Sequence, residues 1–187
     1  MTQKILNLFQ GAFLAFLLFY IITPGCPAAH ANDMDMATDF TLRDLNAQKV
    51  HLSDFKGKVI LMSFWATWCG PCKIEMVHLN QLYEDNKEND FVLLSISIDD
   101  ARSASQVKPY IKRKGYKFPV LLDRSSTVTS IYNPTKTVPY TVLIDKNFRI
   151  SKIYAGFNSG DEVHMSRYID GLLIDWDKLR EEKSKEN

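Results

Sequence analysis

The stretch FWATWCGPCK, residues 64–73, places Cys69 and Cys72 with two residues between them at the point where the hydrophobic period changes. Upstream, KVILMSFWA (58–66) is an apolar run bounded by Gly57, the pattern of a strand buried on both faces. Downstream, Met76, Leu79, Leu82 and Tyr83 follow Cys72 at spacings of 4, 7, 10 and 11. That spacing draws one face of a helix from Pro71 to about Asn86. Pro71 suits its first turn, where the missing N–H has no partner to lose.

Working outward, DFTLRDLNAQKVHLSDFKGK (39–58) reads as a short hairpin around a polar turn, and FVLLSISID (91–99) as a second buried strand. SASQVKPYIKRKG (103–115) predicts a helix with Pro109 near its start and Gly115 at its end, FPVLLD (118–123) a short strand and SSTVTSIYN (125–133) a brief helix. YTVLIDKNFRISKIYAG (140–156) predicts a second hairpin and DEVHMSRYIDGLLIDWDKLR (161–180) a closing helix. This order implies an α/β sandwich around a central sheet, mixed because the last hairpin must be antiparallel.

The first 31 residues stand apart. A short start bearing Lys4, an apolar run from Gly11 to Ile22 and the triplet Ala29-His30-Ala31 have the anatomy of a secretory signal cleaved after Ala31. The span Ile5 to Ile22 would also serve as a single membrane anchor, and Cys26, after Gly25, as a lipid-attachment site, although Thr23 stands where such signals usually carry Leu. All three readings put the body outside the cytoplasm. Residues 32–38 then form a linker, 39–179 one domain, and 180–187 a polar tail.

Composition narrows the function. With 45% hydrophobic residues among 187, the chain can bury a core without disulfides. Loss of residues 1–31 removes one of 23 basic residues and none of 22 acidic ones, leaving a formal charge of zero and no nucleic-acid surface. It also leaves Cys69 and Cys72 as the only cysteines. A bridge across two residues closes almost no loop, so it is no structural staple. Zinc would need a second ligand pair, but His51, His78 and His164 are scattered singly. Covalent haem would need a histidine where Lys73 stands. No metal and no cofactor beyond the cysteine pair itself is expected.

Redox chemistry remains. Cys69, where strand gives way to helix, meets free N–H groups and the positive end of the helix dipole, and is the expected nucleophile. Cys72, one turn in on the apolar face, is the expected buried resolving thiol. Gly70 is expected to let the backbone turn tightly and Pro71 to stiffen the loop. Glu75 falls on the same helix face, where a half-buried carboxyl would relay the proton Cys72 must lose; a solvated first-turn glutamate is the alternative. In TVPYTVLID (137–145), Pro139 directly before a strand marks either a tight turn with a cis bond or an ordinary strand start.

FWATWCGPCK, VLLSISIDD, FPVLLD and TVPYTVLIDKNFRI, in this order after an export signal, resemble the thioredoxin-like TlpA/ResA group of extracytoplasmic thiol-disulfide oxidoreductases, from about Phe40 to Trp176. The resemblance implies a thioredoxin fold with an N-terminal hairpin and an inserted helix-strand segment. It implies Cys69 as attacking thiol, Cys72 as resolving thiol, Glu75 as buried active-site glutamate and Pro139 as cis-proline. Trp68 would flank the site and Val138 would offer backbone to a bound substrate. Ser63 stands where cytoplasmic thioredoxins carry a buried aspartate. Val77 stands where the group commonly has a proline, so a straighter helix is expected.

Such proteins reduce protein disulfides, often in apocytochrome c before haem attachment, and draw electrons from a membrane thiol-transfer protein of the DsbD or CcdA kind. A monomer is expected. Three other readings remain: a disulfide-forming oxidase, a peroxiredoxin-type thiol peroxidase, which would require a P-x-x-x-T-x-x-C context that is missing here, and a copper(I)-binding module.

Overall fold

The computed structural model describes residues 36–174. The signal or anchor segment, Cys26, the start of the linker and residues 175–187 with the polar tail lie outside the described residues; the closing helix, expected to run to 180, ends at Leu173 with Ile174 extended.

The strand predicted at the opening stretch is β3 (Val59–Trp65), buried along its whole length. Each of its apolar side chains contributes about 1.5–3 kcal/mol by leaving water. It pairs in parallel with β4 (Phe91–Ser97), also buried throughout, in the register Val59↔Phe91 to Trp65↔Ser97. Beyond β4 lies β5 (Val120–Leu122), again parallel. On the other side of β3, β6 (Tyr140–Ile144) runs antiparallel and carries β7 (Ile150–Ala155) as an edge. The N-terminal hairpin of β1 (Thr41–Asp44) and β2 (Lys49–His51) joins the opposite edge, β1 pairing antiparallel with β5. The result is one mixed seven-stranded sheet, ordered β2-β1-β5-β4-β3-β6-β7.

Alternation along β3 divides the core. Val59, Leu61 and Trp65 face α1 (Gly70–Asn86), α2 (Val107–Lys114) and α4 (Asp161–Leu173). Ile60, Met62 and Phe64 face α3 (Thr127–Tyr132), Phe40 and Leu52. Ser63 shares the parity of the first set, so its hydroxyl lies beneath α1. α1 is continuous over 17 residues through Val77 and buries Cys72, Glu75, Met76, Leu79 and Leu82. α2 ends at Gly115, whose φ of 71° is the left-handed C-cap conformation.

Residues 36–38, read from sequence as linker, belong to the folded body. Met36 bridges to Arg149, the Ala37 N–H donates to Phe148 O at 2.9 Å, and the Tyr132 hydroxyl donates to Thr38 O at 2.5 Å.

Candidate active site

The redox pair sits where the period changes. Cys69 is the N-cap of α1, in extended conformation, and its sulfur accepts the Cys72 backbone N–H at 3.2 Å. The two sulfurs are bonded, with Cα atoms 5.4 Å apart. Cys72 is fully buried and Cys69 nearly so, at 5% exposure. When this bond opens, negative charge on Cys69 is met by that N–H and by the helix's positive end. Cys72 receives no such help.

Around Cys69 the chain is bare. Trp68 is 63% exposed, and Gly70 and Pro71 are exposed beside it. Gly70 corrects the sequence reading: it is the first residue of α1, its φ is not positive, and a Cβ built there meets nothing within 4 Å. The turn does not require glycine. Pro71 occupies the helix start as expected.

The Val138–Pro139 peptide is cis. The Phe64↔Tyr140 pairing sets Pro139 at the end of the sheet where β3 passes into the cysteine loop. Val138 packs against the core cluster that contains both cysteines. Among the described residues, neither backbone group of Val138 has a backbone partner.

Glu75 is 1% exposed, three residues beyond Cys72 on one helix face. Its two oxygens are held separately: the Ser63 hydroxyl donates to Oε2 at 3.1 Å and the Thr141 hydroxyl to Oε1 at 2.8 Å. Ser63 and Thr141 are directly paired across β3 and β6, so the register of the sheet builds the cradle. Burial pushes the Glu75 carboxyl up to about 7 from an ordinary 4.5; the two hydroxyls pull it down and Asp161 adds a smaller push upward. A carboxyl so placed can hold or release a proton near neutral pH, on the helix face that also carries Cys72.

Two elements escaped the sequence reading. Thr141 is one, since only strand pairing brings it under α1. Asp99 is the other: fully buried, it accepts the Thr67 N–H at 2.9 Å, the Thr67 hydroxyl at 2.6 Å and the Ser97 hydroxyl at 2.9 Å. Asp99 thereby ties down the loop that presents Trp68 and Cys69. The DD pair at 99–100 closing an apolar run was the available signal. Among the described residues no group of three or more His, Cys, Asp or Glu is placed to hold a metal ion.

The AhpC/TSA family model matches residues 34–153. The chain is 35% identical over 136 residues to the thiol-disulfide oxidoreductase ResA of Geobacillus kaustophilus, spanning 73% of this chain and 75% of that protein. To the ResA of Bacillus thuringiensis subsp. konkukian it is 33% identical over 127 residues, 68% of this chain and 72% of the relative. Among solved structures it is similar to that of a Chlorobium tepidum protein described as a thiol:disulfide interchange protein DsbE, with TM-score 0.70 and 27% identity over 76% of this chain and 99% of that one. It is also similar to the exposed lipoprotein thioredoxin of Streptococcus pneumoniae, with TM-score 0.59 and 27% identity over 70% and 99%.

Proposed function

From the premise that this chain belongs to the AhpC/TSA family and is a thiol-disulfide oxidoreductase, we propose that it works outside the cytoplasm as a reductant of protein disulfides. Apocytochrome c before haem attachment is the substrate class that the likeness to the ResA group suggests. A membrane thiol-transfer protein of the DsbD or CcdA kind would resupply electrons. The export-type segment at residues 1–31 supports the location.

The geometry supports the following steps. The Cys69 thiolate attacks one sulfur of the partner's disulfide, forming a mixed disulfide and releasing the partner's other sulfur as a thiolate that takes a proton. Cys72 passes its proton to the Glu75 carboxylate and attacks Cys69 Sγ, releasing the second partner thiol. Two electrons have moved: the partner is reduced, and Cys69–Cys72 is oxidised. Trp68, Gly70 and Pro71 would form the contact rim. Val138 would pair its free backbone with an extended substrate segment, and Pro139 would shape that loop.

The observation that carries the thiol chemistry is the asymmetry of the pair, with Cys69 on the helix N-terminal N–H and Cys72 beside a clasped, proton-exchanging carboxyl. The direction rests on Gly70-Pro71, a loop with no imidazole to stabilise the thiolate further. Two measurements test the reading. Cys72→Ser should trap partners as mixed disulfides on Cys69; an exchange-silent binder would trap none. The Cys69–Cys72 couple should titrate near thioredoxin's potential, about −270 mV, and a value near about −120 mV would reverse the direction.

A further inference from the structure

Between Arg102 and Asp123 the chain carries five cations, Lys108, Lys112, Arg113, Lys114 and Lys117, and no acid. All five are exposed. Among the described residues none of them enters an ion pair; Lys108 is held by hydrogen bonds, donating to Leu45 O at 3.1 Å and Asn46 Oδ1 at 3.2 Å. The inner face of α2, Val107, Tyr110 and Ile111, belongs to the same core cluster as Cys69 and Cys72. α2 therefore packs on the same side of the sheet as the redox pair.

Tyr110 is the meeting point. Arg113 Cζ lies 5.8 Å from its ring centroid, and Lys73 Nζ reaches the same ring from α1 at 6.0 Å. Two cations from two helices converge there, one of them on the residue after Cys72. Helix electrostatics account for Lys112, Arg113 and Lys114, which occupy the last turn of α2 and meet its negative end. They do not account for Lys73, which opens α1 at its positive end, with no acid in that first turn. Its contact with the Tyr110 ring is a weak stabilising one at an exposed site, and its charge is left to meet an anion from outside.

We propose that Lys73, Lys112, Arg113, Lys114 and Lys117 form a docking surface for an acidic segment of the protein whose disulfide is exchanged, so that the enzyme favours disulfides flanked by Asp and Glu. This inference rests on the reading that protein disulfides are the substrate. An acidic segment lying across Tyr110 meets charge from both helices while its disulfide reaches Cys69. Exposed, uncompensated charge of this kind acts mainly on the rate of encounter and weakens with salt. A disulfide-bearing partner must lie against the start of α1, where Lys73 follows Cys72, and is therefore the occupant proposed.

The test is stopped-flow oxidation of the reduced full chain by two synthetic disulfide-bridged peptides that differ only in four flanking residues, all Glu in one and all Lys in the other. At low salt the acidic peptide should react about tenfold faster, and the advantage should vanish near 0.5 M salt. In the K112E/R113E/K114E variant the preference should invert. The salt series on the unmodified chain gives an answer even if that variant fails to fold. Equal rates for the two peptides at low salt overturn the proposal while leaving the disulfide reading intact. Oxidation by neither peptide sinks the disulfide reading and the proposal with it. Equal rates together with patch-dependent sedimentation on phosphatidylglycerol vesicles reassign the surface to lipid and also overturn it.

Discussion

Two buried carboxyl groups flank the cysteine loop, and they are held differently. Asp99 accepts a backbone N–H and two hydroxyls, and one residue, Thr67, supplies two of those three donors. Glu75 accepts two hydroxyls only, each on a different strand. The first arrangement fastens one piece of backbone to another, since a peptide N–H cannot turn away. The second leaves a carboxyl whose partners can rotate between donating and accepting, so a proton can arrive or leave without stranding a buried group. The contrast separates a structural tie from a carboxyl suited to the proton transfer proposed above, within one loop's reach.

The largest effect should come from breaking the tie. Asp99→Ala strands the part-buried N–H and hydroxyl of Thr67 and the buried hydroxyl of Ser97, and should lower the unfolding free energy in urea by about 3 kcal/mol. Loss of less than about 1 kcal/mol would remove the contrast.

Glu75 should reveal itself through pH. Its folded-state value, about 7, lies above the ordinary 4.5, so the folded protein keeps a proton that the unfolded chain releases. The stability due to this group is therefore fully present below about pH 4.5 and lost as pH rises to about 7, by about 3 kcal/mol for a group this buried. Urea unfolding of the oxidised protein across that window should show the decline. Glu75→Gln should flatten it and slow the Cys72 step about 10²-fold, read as a longer-lived mixed disulfide.

Thr141→Val sharpens the comparison. It removes a donor that favours the charged carboxylate, so the Glu75 carboxyl should rise further and the pH profile of exchange shift to the alkaline side. Exchange at pH 7 should fall about fivefold. Thr141→Ser should restore the profile, and a Val variant that is merely less stable, with an unmoved profile, would refute the cradle. The smallest effect belongs to Ser95, beside Ser63 in the parallel register, whose buried hydroxyl has no partner among the described residues. Ser95→Ala should change stability by no more than about 0.5 kcal/mol.

Much of the molecule was legible in the chain because local rules decide it. Strand β3 announces itself by an unbroken apolar run, α1 by the Cys72-to-Tyr83 spacing, and the end of α2 by Gly115. The places of Cys69 at a helix start and of Cys72 one turn in on the buried face were legible from the same spacing. Glu75 was visible on the correct face. Gly70 was misread because a glycine between two cysteines suggests a turn, whereas helix geometry accommodates it with ordinary angles.

The sequence by itself determined which residues carry the sulfur chemistry, because helix periodicity and the strand-to-helix junction are properties of neighbouring residues. Only the tertiary structure decided what surrounds Glu75. Ser63 and Thr141 lie 78 positions apart, and they meet because antiparallel pairing of β3 with β6 in one register, and not one residue to either side, turns both hydroxyls to the same face. A one-residue slip would have sent one of them to the opposite core and left the carboxyl with a single partner.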